Sequence, residues 1–152
     1  MEWMGEDGGH QGCASTGAAF CLAIHPSILA ADKALGRENG FARFFADDGY
    51  LCGKTDDVLP ALTRFEAQVE AECGLELNRI KTEWYAATTA TADLVRQRMN
   101  AEGLKEGRGE GESGGRGIIV TGIPVGDEVF EKEYARRRTE RALNKTNQII
   151  SK

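Results

Sequence analysis

Phe41-Ala42-Arg43-Phe44-Phe45-Ala46-Asp47-Asp48-Gly49-Tyr50-Leu51-Cys52 is the stretch on which the reading of the chain turns. Phe41–Ala46 and Gly49–Gly53 are short aromatic and aliphatic runs that suit half-buried strands, and two acids lie between them. The pattern predicts a β-hairpin with Asp47 and Asp48 at its tip, at one edge of a small antiparallel sheet. Side chains alternate along a strand, so neighbouring carboxylates point in different directions, one toward a cavity and one along its rim. Hard divalent cations such as Mg²⁺ prefer oxygen ligands of this kind. A pair of such ions can activate a hydroxyl and stabilise a leaving pyrophosphate. Asp-Asp-Gly is also an ordinary turn sequence, so a purely structural reading stays open beside the catalytic one.

Working outward, Thr16–Leu35 has helical spacing, with Phe20, Ile24, Ile28 and Leu35 near one face and Pro26 predicting a kink or break. Arg37–Gly40 reads as a loop. After the hairpin, Thr55 or Asp56 can cap a helix that runs to Cys73 and stops at Gly74, its apolar stripe being Val58, Leu62, Phe65 and Val69. Both helices are expected on the same face of the sheet. Leu75–Asn78 and Thr82–Ala86 read as short strands, the latter with Trp84 and Tyr85 favoured as core, and Thr91–Glu102 as a polar helix. Gly103–Arg116 holds six glycines and a single apolar side chain, too little to bury against its ordering entropy, and is expected as a flexible loop. Gly117–Val125 reads as one strand ending in a turn, and Asp127 can cap a charged helix to about Asn147.

The whole is a one-domain length of α+β class, and 152 residues cannot hold every subdomain of a template-directed polymerase. No apolar run is long enough to predict a transmembrane helix, and Met1–Gly9 lacks the layout of a secretory signal, so the expectation is an intracellular protein that does not enter a membrane. Cys13, Cys21, Cys52 and Cys73 show no CxxC pair and read as free thiols. His10, Cys13, Cys21 and His25 invite a zinc reading, but a cysteine in an apolar helix is more often buried core. Charge is uneven: from Lys132 to Lys152 seven Lys/Arg stand against two Glu, a local +5, so in a chain of net −5 the remainder carries −10. Such a tail can face a phosphate backbone, or it can be a solvated helix face.

The hairpin sequence Phe45-Ala46-Asp47-Asp48 resembles the aromatic-x-Asp-Asp signature of the reverse-transcriptase family. Three further elements follow the family's order. Gln11-Gly12 ahead of the first helix resembles its Gln-Gly motif. Gly74-Leu75-Glu76-Leu77-Asn78 with Lys81, Glu83 and Trp84 resembles the next palm motif, and Gly122-Ile123-Pro124-Val125-Gly126 resembles the turn at the palm–thumb border. The resemblance covers Gly9–Lys81 well and Ile118–Tyr134 loosely. It implies a partial polymerase palm, with a small antiparallel sheet and helices packed on one face, from a retrotransposon-type RNA-directed DNA polymerase. The implied layout is an irregular lead-in over 1–10, a partial palm over 11–102, the Gly-rich loop over 103–116, and the palm end with the start of a thumb-like basic helix over 117–152.

By the same resemblance, Asp47 and Asp48 are the catalytic residues and the ligands of Mg²⁺ or Mn²⁺, in a two-ion site incomplete in this chain. Gln11, Gly12 and Lys81 would contact substrate, Arg137, Arg138 and Arg141 would bind nucleic acid weakly, and template–primer and deoxynucleoside triphosphate would be partners of the complete protein. The family's third aspartate and its fingers lie upstream of the Gln-Gly motif, where this sequence offers only Glu2, Glu6 and Asp7. The expectation is therefore a fragment, inactive as a polymerase by itself. The alternative is a non-catalytic remnant acting as a nucleic-acid-binding or protein-interaction domain.

Overall fold

A computed structural model describes residues 15–36, 38–108 and 114–150. The chain is mixed α+β and divides into two compact units, Met1–Leu77 and Asn78–Lys152. The division falls inside the segment 11–102 that the sequence reading treats as one piece.

The first unit holds helix α1 (Thr16–Leu35), strands β1 (Phe41–Phe45) and β2 (Asp48–Cys52), and helix α2 (Thr55–Cys73). The strands form a two-stranded antiparallel sheet in which Phe45 pairs with Asp48, leaving Ala46-Asp47 as a two-residue turn. Ala42, Phe44, Gly49 and Leu51 share one face by this register, and that face meets both helices. Ile24, Ala31 and Leu35 of α1 and Ala61, Phe65 and Val69 of α2 close over Ala42, with Phe44, Leu51 and Val58 packed against them. The helices thus cover one side of the hairpin, as expected, and the stripe residues Leu62, Phe65 and Val69 are buried. Helix α1 continues through Pro26 instead of breaking. Pro26 lies on the exposed side, where the Leu22 carbonyl that loses its i+4 donor can meet water. Lys54, not Thr55 or Asp56, is the N-cap of α2; the acids Asp56 and Asp57 sit in its first turn, where they favour the positive end of the helix dipole. The helix ends on Gly74 in the left-handed conformation, φ 65°, as its sequence predicts. Although no membrane helix was expected, α1 is long and apolar enough to cross a membrane by length and composition; one side of it lines the core just described.

The second unit contains β3 (Glu83–Trp84), α3 (Thr89–Ala101), β4 (Lys105–Glu106), β5 (Gly117–Val120), β6 (Ile123–Gly126) and α4 (Glu128–Ile150). Three expectations change here. Leu75–Asn78 is irregular, not a strand. Gly117–Val125 is a hairpin in place of a single strand: Thr121-Gly122 turns the chain with φ of 48° and 85°, positive at both central positions. The stretch read as a flexible loop is structured at both ends. Leu104 is buried, β4 pairs in parallel with β3, and Arg108 bridges Arg116; residues 109–113 lie outside the described set.

The physical reason is close backbone approach. A Cβ on Gly107 would strike the Gly117 carbonyl and one on Gly115 the Asp127 carboxylate and the Phe130 backbone, while just beyond the loop Gly117 and its cross-strand partner Gly126 make room for the ring of Phe130, the one described residue of α4 that is buried. Glycines that look like flexibility in the sequence permit close approach of backbone to backbone. Asp127 caps α4 as expected: its Oδ1 accepts the Phe130 N–H at 2.9 Å, and Oδ2 accepts the Arg116 N–H at 2.8 Å. Those two hydrogen bonds hold the Asp127 carboxyl below its ordinary pKa. Trp84 is buried, as its strand position suggested.

Candidate functional site

Asp47 occupies the second position of the first hairpin's turn and Asp48 the first of β2, and both are exposed. Ala46, at the first turn position, has φ 53°, a backbone region that L-residues enter at a cost. The hairpin beneath the acids is firmly seated. The Phe44 ring lies across Gly49, where any Cβ would collide with it, and stacks on Phe65 of α2 with centroids 4.7 Å apart. Asp48 belongs to the face with Phe41, Arg43, Phe45 and Tyr50, opposite the helices; Phe45 is 72% exposed there. Among the described residues neither the Asp47 nor the Asp48 carboxylate has a hydrogen bond or an ion pair, so their oxygens are free to take a ligand.

The two edges of this hairpin differ. Phe45 and Asp48 flank a two-residue turn and are a hydrogen-bonded pair, so the backbone groups of Ala42 and Phe44 on β1 and of Gly49 and Leu51 on β2 point outward. On the β1 edge the Ala42 N–H donates to Asp32 Oδ1 at 2.8 Å, and Arg43 Nη1 donates to the Ala42 carbonyl at 2.6 Å. Arg43 also pairs with Asp32 at 3.2 Å. Side chains thus engage that edge at Ala42, a known way of blunting a strand, while the outward groups of Phe44 have no partner among the described residues. On the β2 edge, the outward groups of Gly49 and Leu51 have no partner among the described residues. Nothing in the sequence singled out Asp32 or Arg43; their role depends on α1 lying beside β1.

Of the other expected site residues, Gln11 and Gly12 lie outside the described residues, as do His10 and Cys13 of the zinc reading. Cys21 is exposed, and the described residues contain no group of three or more His, Cys, Asp or Glu able to hold a metal ion. Lys81 is an exposed turn residue of the second unit whose N–H bonds Asn78. Arg137, Arg138 and Arg141 lie on α4. Arg137 is engaged by Glu133 at 2.6 Å, whereas Arg138 stands over the Tyr134 ring at 5.9 Å and Arg141 is exposed.

A second charged cluster, missed by the sequence reading, surrounds Glu106. Its carboxylate takes Arg96 through two N–H donors at 3.1 and 3.2 Å and Arg108 at 2.8 Å, with Arg116 Nη1 at 3.7 Å. The Arg96 hydrogen bond, more than any other contact, holds Glu106 below its ordinary pKa. Both oxygens of this carboxylate accept guanidinium hydrogen bonds, which accounts for it as an anchor of the fold. Compared with family models, curated proteins and solved structures, the chain matches none.

Proposed function

We propose that this chain is part of a reverse-transcriptase-type palm. In a complete protein, Asp47 and Asp48 would be the carboxylates of a Mg²⁺- or Mn²⁺-dependent nucleotidyl transfer. The observation that carries this reading is the acid pair at an exposed hairpin tip, on a sheet that helices cover on one side only. Among the described residues of the first unit no element packs on the opposite side, which is what a template-sized substrate requires. Both carboxylates are hard oxygen donors, which suits such an ion with waters filling its remaining positions. A bound ion would supply Lewis-acid stabilisation of charge on the transferring phosphoryl group. The chain's own contribution is to hold two oxygens rigidly, through the Gly49–Phe44–Phe65 stack, at a place water and substrate can reach.

The reading also requires a neighbouring strand with another carboxylate. The β2 edge supports it, because the outward groups of Gly49 and Leu51 are free to pair with such a strand, while on the β1 edge the groups of Ala42 are already engaged by Asp32 and Arg43. The chain by itself therefore binds a divalent ion weakly and does not extend a primer.

Titration with Mn²⁺, followed by paramagnetic broadening of amide resonances, tests the site. The signals of residues 45–49 should broaden first, and Asp47→Asn with Asp48→Asn should remove that selectivity. Broadening spread evenly over the acidic surface would overturn the proposed site. Primer extension on an RNA template with Mg²⁺ should stay at the level of an Asp47→Asn control; robust Asp47-dependent extension would show that the chain is complete as a catalyst.

A further inference from the structure

Helix α4 leaves its hairpin after Tyr134. The Phe130 ring lies on Gly117 and Gly126, and the Tyr134 hydroxyl donates to the Gly122 carbonyl at 2.8 Å. From there to Ile150 no described residue of the helix is buried. The cations on this free length are of two kinds. Arg136 pairs with Glu140 at 2.6 Å and lies 3.8 Å from Glu133, and Arg137 pairs with Glu133 at 2.6 Å, so both are matched on the helix itself. Arg138, Arg141 and Lys145 are exposed and have no acidic partner among the described residues.

Those three share a stripe. At about 100° per residue, Tyr134, Arg138, Arg141 and Lys145 fall within roughly 60° of arc, and Arg138 to Lys145 spans about 10 Å along the axis. The stripe continues, beyond the Thr121-Gly122 turn, the face that seats Phe130 and Tyr134 on the hairpin. Arg138 is held over the Tyr134 ring, which keeps its guanidinium on that line.

We propose that Arg138, Arg141 and Lys145 form a binding stripe for the phosphate backbone of single-stranded nucleic acid. The occupant follows from charge complementarity: three adjacent cations lack counter-charges in a chain that is otherwise acidic, and a polyphosphate strand offers matching anions at successive positions. A membrane surface fits less well. Beyond Tyr134, α4 carries Ala135, Ala142, Leu143, Ile149 and Ile150, spread from the stripe's flank to the opposite side, and none of the aromatic residues that anchor interfacial helices. The inference deepens the nucleic-acid part of the proposed function and uses α4 alone. It also replaces Arg137 with Lys145 in the set expected from sequence.

The test is binding of the full chain to a labelled single-stranded oligonucleotide between about 50 and 200 mM salt. Contact with about two or three phosphates gives a slope of roughly −1.4 to −2.1, a loss of about seven- to eighteenfold across that range. The variant Arg138→Gln/Arg141→Gln/Lys145→Gln should bind at least tenfold more weakly at the low-salt end with a slope near zero, its helix content unchanged. Arg136→Gln/Arg137→Gln should stay within about twofold of the parent. The Mn²⁺ broadening of residues 45–49 should be the same in the triple variant as in the parent, so failure of the acid site and failure of the stripe are read separately. Equal binding by the triple variant, equal loss in the Arg136/Arg137 variant, or binding to phosphatidylserine vesicles without binding to the oligonucleotide would each overturn the proposal.

Discussion

The two antiparallel hairpins of this protein solve the same local problem with different means. Each turns on two residues, Ala46-Asp47 and Thr121-Gly122, and each has a non-glycine residue at positive φ in the first turn position. Each also lays an aromatic ring over glycine. In β1–β2 the ring is Phe44, on the hairpin's own strand, and it is locked from above by Phe65. In β5–β6 the ring is Phe130, from the helix that follows, and Gly117 and Gly126 both yield space to it. The carboxylates divide in the same way. Asp127 at the second hairpin accepts two backbone N–H groups and, in the same unit, Glu106 accepts two arginines, whereas Asp47 and Asp48 at the first hairpin are exposed and without partners among the described residues. An acid that the fold leaves idle on a rigid support is the one to suspect of a function; an acid saturated with donors is already explained.

The largest effect that can break this comparison is loss of the rings. Phe65→Ala and Phe130→Ala each empty a site that is 6% exposed, and each should cost about 3–5 kcal/mol by chemical denaturation. Phe65 belongs at the upper end, because α1, α2 and the hairpin enclose it, while the site of Phe130 can admit water at an exposed hairpin. Amide hydrogen exchange should show protection lost in residues 41–52 for the first variant and in 117–126 for the second. A uniform loss over both hairpins would mean that they unfold as one piece.

Acid should separate the hairpins next. The carboxyls of Glu106 and Asp127 are held below their ordinary values of 4.5 and 3.8, Glu106 mainly by Arg96 and Asp127 by the backbone N–H of Arg116. A group whose pKa is depressed by folding favours the folded state while ionised. Its contribution is complete above the unfolded value and disappears as pH falls through the folded one. As pH falls below about 4.5, therefore, residues 104–130 should lose exchange protection progressively, and Glu106→Gln with Asp127→Asn should flatten that dependence. A profile over 104–130 that is unchanged in the double variant would mean that other groups carry the acid response.

The smallest effects lie in the turns. Ala46→Gly and Thr121→Gly remove a Cβ from a positive-φ position and should stabilise by about 1 kcal/mol, with Thr121 the larger because its side chain is β-branched. If either glycine variant is less stable than the parent, that turn is not strained.

Sequence alone determined the elements whose local signals agree with their packing. Helix α1 matches its expected limits, α2 runs to the Gly74 stop, the first hairpin places its acids at the tip, and Asp127 caps α4. In each case a 3.6- or 2-residue apolar period or a capping residue carried the information within a few neighbours. Tertiary structure alone decided what depends on distant partners. Gly117 is a seat for Phe130 only once α4 folds back, and the Glu106 side chain is covered only once Arg96 and Arg116 converge on it. The β1 edge is closed only because α1 brings Asp32 beside Ala42, ten residues along the chain. A glycine's composition value is the same whether it frees the backbone or admits a ring, and a charge's is the same whether it is solvated or saturated. Only the neighbours brought by the fold distinguish these cases.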